Sequence, residues 1–206
     1  MGNFLSRFGV VCALMLSTVA LAQEQPDEII LRNTHYYVAL ERDYPLEPKD
    51  AQIRDMKGNI LAEVSTIFKR AVDIEGTGRL LDGRIINYAG RVEKEVRYLV
   101  TRAPFGLGVG TCRLVPFHTA AVDPKVVPLG SVLFIRETVG MVLPGGEIHD
   151  GIWRAEDVGG AIKADRIDLF VGDGDQGAVL RRAGIRSLMP LTIEIVELPA
   201  ADSCVH

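Results

Sequence analysis

The rhythm of apolar and polar positions divides the chain into four stretches. Arg7 is followed by a run without charge from Phe8 to Ala22, which ends in Ala20-Leu21-Ala22 before polar Gln23, Glu24 and Gln25. That layout predicts a secretory signal peptide over 1–22. The run is too short for a comfortable membrane span. Residues 23–57 are charged and broken by Pro45 and Pro48, with one strand-like run from His35 to Leu40. They read as a poorly packed extension. From Gly58 to Arg70, Ile60, Leu61, Val64, Ile67 and Phe68 recur on one face of a 3.6-residue period, which predicts an amphipathic helix.

Beyond Ala71 the period shortens to that of strands. Asp82-Gly83 separates two strand-like runs and signals a hairpin. Further strands are predicted at 97–101, 132–137, 153–157, 167–171 and 191–198, with a turn at Pro144-Gly145-Gly146. Gln176 to Ala183 reads as one short helix ending before Gly184, a residue suited to the left-handed conformation after a helix. Six or seven short strands with one brief helix predict a mainly β protein built as a small closed barrel. The expected organisation is a signal peptide at 1–22, an extension with a helix at 23–70, the barrel at 71–198 and a tail at 199–206.

Composition narrows the partners. The net charge of −4, from 23 Lys+Arg and 27 Asp+Glu among 206 residues, disfavours nucleic acid. Removal of 1–22 takes away Arg7 and Cys12, which makes the charge −5 and leaves two cysteines, Cys112 and Cys204. In an oxidising compartment these can pair, a bridge worth roughly 4–5 kcal/mol in the chain-entropy model. The alternative is two free thiols, with Cys204 in a loose tail. No Cys follows the expected cleavage site, so no lipid anchor is predicted after it.

The densest chemistry lies at 155–172. Glu156 and Asp157 precede Gly159-Gly160, and Lys163, Asp165, Arg166 and Asp168 follow. A strand–turn–strand return would bring Asp157 and Asp168 to one end of the barrel. Two close carboxylates raise at least one pKa, which suits a general acid on a glycosidic oxygen. A turn decorated with solvated charges is the plainer reading. Asp123 precedes Pro124 and is either a turn cap or a third acid of the same site. His118 could border that site. His149 beside Asp150 reads as a surface residue, and Trp153 as core. No HxxxH, HExxH, CxxC or GxSxG motif occurs, so neither a metal nor another cofactor is expected.

Ala121-Val122-Asp123-Pro124, Val127-Pro128-Leu129-Gly130, Ala155-Glu156-Asp157, Gly159-Gly160-Ala161-Ile162-Lys163 and Ile167-Asp168-Leu169 stand in the order of the 3D domain. That domain is named for three aspartates, which these positions match. The chain thus resembles the catalytic barrel of the MltA-type membrane-bound lytic transglycosylases. The resemblance implies a six-stranded double-psi β-barrel. It also implies cleavage of the β-1,4 bond between N-acetylmuramic acid and N-acetylglucosamine in peptidoglycan, with a 1,6-anhydro product. Asp168 would be the single acid/base and Asp157 would tune it. Asp123 would brace the site or position the glycan, with Gly159, Gly160 and Lys163 beside it. Ala164 stands where the family usually has Gly, and Phe105 to Gly110 departs from the family pattern. With the large second domain of MltA missing, a one-sided cleft is expected. The competing readings are a non-catalytic wall-binding module and a plain glycoside hydrolase. The expected setting is outside the inner membrane, in the periplasm.

Overall fold

The computed structural model describes residues 28–46 and 48–206, so the expected signal peptide at 1–22 lies outside the described residues. The elements in chain order are β1 (Ile29–Leu40), β2 (Ala51–Arg54), β3 (Ile60–Val64), α1 (Thr66–Glu75), β4 (Thr77–Arg79), β5 (Ile85–Val92) and β6 (Glu95–Thr101). Then follow β7 (Thr119–Val122), β8 (Val132–Ile135), β9 (Ile152–Asp157), β10 (Arg166–Asp173), α2 (Gly177–Arg182) and β11 (Pro190–Glu197). No described helix is long and apolar enough to cross a membrane.

Six strands close on themselves in the order β10-β7-β9-β8-β11-β1, and β1 pairs back to β10. Two neighbouring pairs are parallel, β1–β10 and β7–β9; the others are antiparallel. Exchanging β1, β7, β8 for β9, β10, β11 leaves this pairing pattern unchanged. Alternate side chains fill the interior: Ala120 and Val122 from β7, Ile167 and Leu169 from β10, Trp153 and Ala155 from β9. Trp153 is fully buried and its Nε1 donates to Thr138 Oγ1.

β1 also leaves the barrel. Its last residues pair in parallel with β4, Ala39 opposite Gly78 and Leu40 opposite Arg79. β4, β5 and β6 continue as an antiparallel ladder, and the β2–β3 hairpin and α1 cover it. The core of this side lobe includes Ile53, Val64, Phe68, Val72, Ile86 and Tyr98. α1 lies directly on the β4 backbone, since a Cβ at Gly78 would sit 2.6 Å from Val72 Cγ2.

Three expectations need correction. The described part of 23–57 is not a loose extension, because β1 is the strand common to barrel and lobe. Arg32, Asn33 and Thr34 hide its apolar alternation. Arg32 pairs with Asp165, while buried Asn33 exchanges backbone bonds with Leu188 and Met189. The expected helix over 58–70 is a strand followed by a later helix. The Ser65 hydroxyl accepts from Phe68 N, so α1 begins after it, and Ile60, Leu61 and Val64 belong to the β2–β3 hairpin. Among the described residues of 28–70, the α-helix is confined to the start of α1 at Thr66. The tail at 199–206 is tied down by the expected pairing of Cys204 with Cys112 and not by the alternative of two free thiols. Finally, His149 is buried, not on the surface. It stacks between His118 and Trp153, and its two ring nitrogens meet Phe117 O and Gly151 N. The predicted short helix and the Asp82-Gly83 hairpin fall at α2 and at the β4–β5 turn.

Phe68→Ala removes the fully buried aromatic ring that holds α1 on the lobe. A loss of about 3–5 kcal/mol is expected, read as a lower urea midpoint with an unchanged slope.

Candidate active site

The barrel and the lobe face each other across a cleft of about 550 Å³. Asp157 and Asp168 line it from the barrel; Asp73, Glu75, Asn87 and Arg91 line it from the lobe. The cleft therefore has two walls, which corrects the one-sided cleft expected from length. A larger cavity of about 700 Å³ between the 139–144 loop and α2 contains neither acid.

The two aspartates share a face because of one irregularity. On β10, Ile167 and Leu169 point inward, so Asp168 points outward. On β9, Trp153 and Ala155 point inward, and strict alternation would turn Asp157 inward as well. The β7–β9 register instead slips: Ala120 pairs with Ala155, but Ala121 pairs with Asp157. Glu156 is the extra residue of this bulge. Ala121 also pairs with Asp168 on its other side. One small residue thus lies between the two acids, whose Cα atoms stand two strands, roughly 10 Å, apart.

Neighbouring loops hold the bulge. Val109 N donates to Glu156 O at 2.9 Å, and Gly130 N donates to Ala155 O at 2.8 Å. A Cβ at Gly108 would lie 2.2 Å from Glu156 O, so only glycine fits there. The Val109 loop is tied to the C-terminal tail by the Cys112–Cys204 disulfide and by Thr111 N donating to Cys204 O.

Each acid has its own environment. Asp157 accepts from the Tyr36 hydroxyl at 2.7 Å and from Val158 N at 2.8 Å. Burial pushes Asp157 up to about 6 against those two hydrogen bonds, and the charge of Asp168 adds to the rise. Burial also raises Asp168, opposed by the Thr34 hydroxyl, His35 and Arg166. Asp168 Oδ1 is buried without a hydrogen-bond partner. Asp123 differs. Its Oδ2 accepts from Ala164 N at 2.8 Å and its Oδ1 from Lys125 N at 3.1 Å, which holds its pKa low. It clamps the turn after β7 to the 158–165 loop and does not line the cleft.

Gly159, Gly160 and Lys163 all line the cleft. The missing Cβ of Gly159 makes room for Ile162, 2.6 Å from where it would stand, whereas Gly160 meets nothing. Lys163 Nζ donates to Gly159 O. Ala164 adopts φ 52, a left-handed conformation that glycine takes more readily. His118 lies at the other end of β7 from Asp123 and does not border the cleft. It forms a cluster with His149 and Asp150, but His149 spends both ring nitrogens on backbone groups. Tyr36, Glu75, Asn87 and Gly108 were not legible as site residues. Only the Gly106-x-Gly108-x-Gly110 spacing hinted at close backbone approach.

Residues 118–191 match the family model of the 3D domain, and the three aspartates fall within that span. The chain is similar in fold to Escherichia coli MltA with bound chitohexaose, at TM-score 0.57 and 18% identity, over 82% of this chain and 72% of that one. It is also similar to the membrane-bound lytic murein transglycosylase from Agrobacterium tumefaciens, at TM-score 0.54 and 16% identity, over 80% and 73%. No curated protein matches the sequence.

Two outcomes follow from this geometry. Asp168→Asn removes a buried charge whose pKa is raised on folding, so the ionised form is disfavoured in the folded state. Thermal unfolding at pH 8 should occur roughly 2–4 °C higher than in the wild type for each kcal/mol relieved. The gain should vanish as pH falls below the ordinary value of 3.8, where both states are protonated. Gly108→Ala should displace the loop that holds the bulge, at a stability loss of about 1–3 kcal/mol.

Proposed function

We propose that this 3D-domain chain is a peptidoglycan lytic transglycosylase. The observation that carries this reading is the pair Asp157 and Asp168, set on one face by the Glu156 bulge and raised by burial inside a two-walled cleft. The bound chitohexaose of the structurally similar MltA supports a glycan as occupant. The symmetric exchange of β1, β7, β8 with β9, β10, β11 supports the double-psi arrangement.

In this mechanism protonated Asp168 gives its proton to the glycosidic oxygen between N-acetylmuramic acid and N-acetylglucosamine. The C1–O bond breaks, the N-acetylglucosamine side leaves as an alcohol, and positive charge develops at C1. The Asp168 carboxylate then takes the proton of the muramic 6-hydroxyl as O6 attacks C1. A 1,6-anhydro ring forms, Asp168 is protonated again, and no water is consumed. A hydrolase with two dedicated carboxylates would need a water and leave a reducing end. Asp168 lines the cleft, where its carboxyl would serve both transfers. Asp157, held by Tyr36 and Val158, supplies negative charge near the developing cation. Asp123 fixes the 158–165 loop that presents Gly159, Gly160 and Lys163. No metal or cofactor enters the scheme. Such a substrate fits the signal-peptide reading and a periplasmic setting.

The test is mass spectrometry of the products released from purified sacculi. Anhydro-muropeptides from the wild type, lost by at least about a hundredfold in Asp168→Asn, are expected. Reducing-end products would make the protein a hydrolase. Sacculus binding with no product in the wild type would make it a binding module.

A further inference from the structure

Glu75 is the last residue of α1, in a position that disfavours a carboxylate. The C-terminal end of a helix carries partial negative charge, and the last turn of α1 contains no basic residue to offset it. Gly76 follows in the left-handed conformation and closes the helix with its N–H on Val72 O. The Glu75 side chain lines the same cleft as Asp157 and Asp168 and is half-buried. Its Oε2 accepts from Tyr37 N at 3.1 Å, at the place where β1 passes from its β10 register to the lobe.

The other charged groups around it do not neutralise it. Asp168 and Asp175 both act on it as like charges. Asp175 is held by His35, and Asp73, half a turn back along α1, is held by Lys69 and by the Tyr98 hydroxyl. The cations of the cleft, Arg91 and Lys163, form no ion pair with Glu75 among the described residues. Burial, with those like charges, pushes Glu75 up to about 7. A carboxyl kept at a helix end, half-buried and beside two other acids lowers stability, the pattern expected where a residue serves function.

We propose that Glu75 is a third working carboxyl of the cleft, which in its protonated form donates a hydrogen bond to an acceptor oxygen of the bound glycan. Oε2 is occupied by Tyr37 N, so Oε1 is the atom that carries the proton. The lobe then holds the sugar from the side opposite Asp157 and Asp168. This assignment rests on the glycan reading above and adds a contact from outside the matched 3D span.

Calorimetric titration with chitohexaose at pH 6 and pH 8 tests it. Wild-type affinity should fall about tenfold between the two, as a single donor with a pKa near 7 loses its proton. Glu75→Gln keeps an N–H donor without the titration, and should bind at pH 8 within about twofold of its value at pH 6. Glu75→Ala should bind weakly at both. Asp157 and Asp168 remain in all three proteins, so a pH dependence that persists in Glu75→Gln belongs to them and not to Glu75. A Glu75→Gln variant that retains the wild-type fall, or binds as weakly as Glu75→Ala at pH 6, would overturn the assignment while leaving the glycan reading intact. A wild type that binds no chitohexaose at either pH would overturn both.

Discussion

The site depends on one extra residue in one strand. Without the bulge at Glu156, the period of two would turn the Asp157 carboxyl into an interior filled by Trp153, Ala155 and Ile167. An unpaired carboxylate there would be expelled or neutralised. With the bulge, Asp157 and Asp168 flank Ala121 on the outer face. The bulge leaves ladder groups that must find partners elsewhere, and the 105–114 loop supplies them through Val109 N. Gly108 permits that approach, and the disulfide to Cys204 anchors the loop. A tail at the far end of the sequence thereby helps to aim a carboxylate.

The second constraint is β1. Its twelve residues pair with β10 and β11 in the barrel and with β4 in the lobe. One continuous strand thus sets the distance between the two walls of the cleft. It also contributes directly to the site. Thr34 stands opposite Asp168 in the ladder, and Tyr36 donates to Asp157. Tyr36 packs on Phe170 with ring centroids 5.1 Å apart, so its hydroxyl is fixed by aromatic contact as well as by its hydrogen bond. The lobe is smaller than a second domain, yet it closes the cleft from the other side.

Within the cleft, burial is the dominant electrostatic influence. It raises Asp157, Asp168 and Glu75, while Asp123, satisfied by two backbone N–H groups, is lowered. The same residue type in one motif therefore serves two purposes. Where backbone donors converge, the carboxylate is a structural clamp. Where they are scarce and solvent is excluded, the acid can hold a proton near neutral pH and exchange it. Such sites trade folding stability for reactivity.

Strands β8 to β11 of the barrel were legible from their apolar runs between turns; β7 was not, because all four of its residues are buried and no alternation marks it. The three aspartates were legible because they stand in an ordered motif, and the even pair of cysteines followed from the expected loss of Cys12. The first half of the chain was not legible. β1 carries Arg32, Asn33 and Thr34 in the middle of a strand, and their partners Asp165, Leu188 and Met189 lie more than 130 residues away. Ile60, Leu61 and Val64 match a helical spacing by coincidence, and the Ser65 cap decides where α1 begins. By itself the sequence determined local periods, turns and the identity of the acids, because these depend on near neighbours. Only the tertiary structure decided which acids share a face, which is a clamp, and that Glu75 joins them. Those depend on a register slip between β7 and β9 and on the packing of a lobe against a barrel.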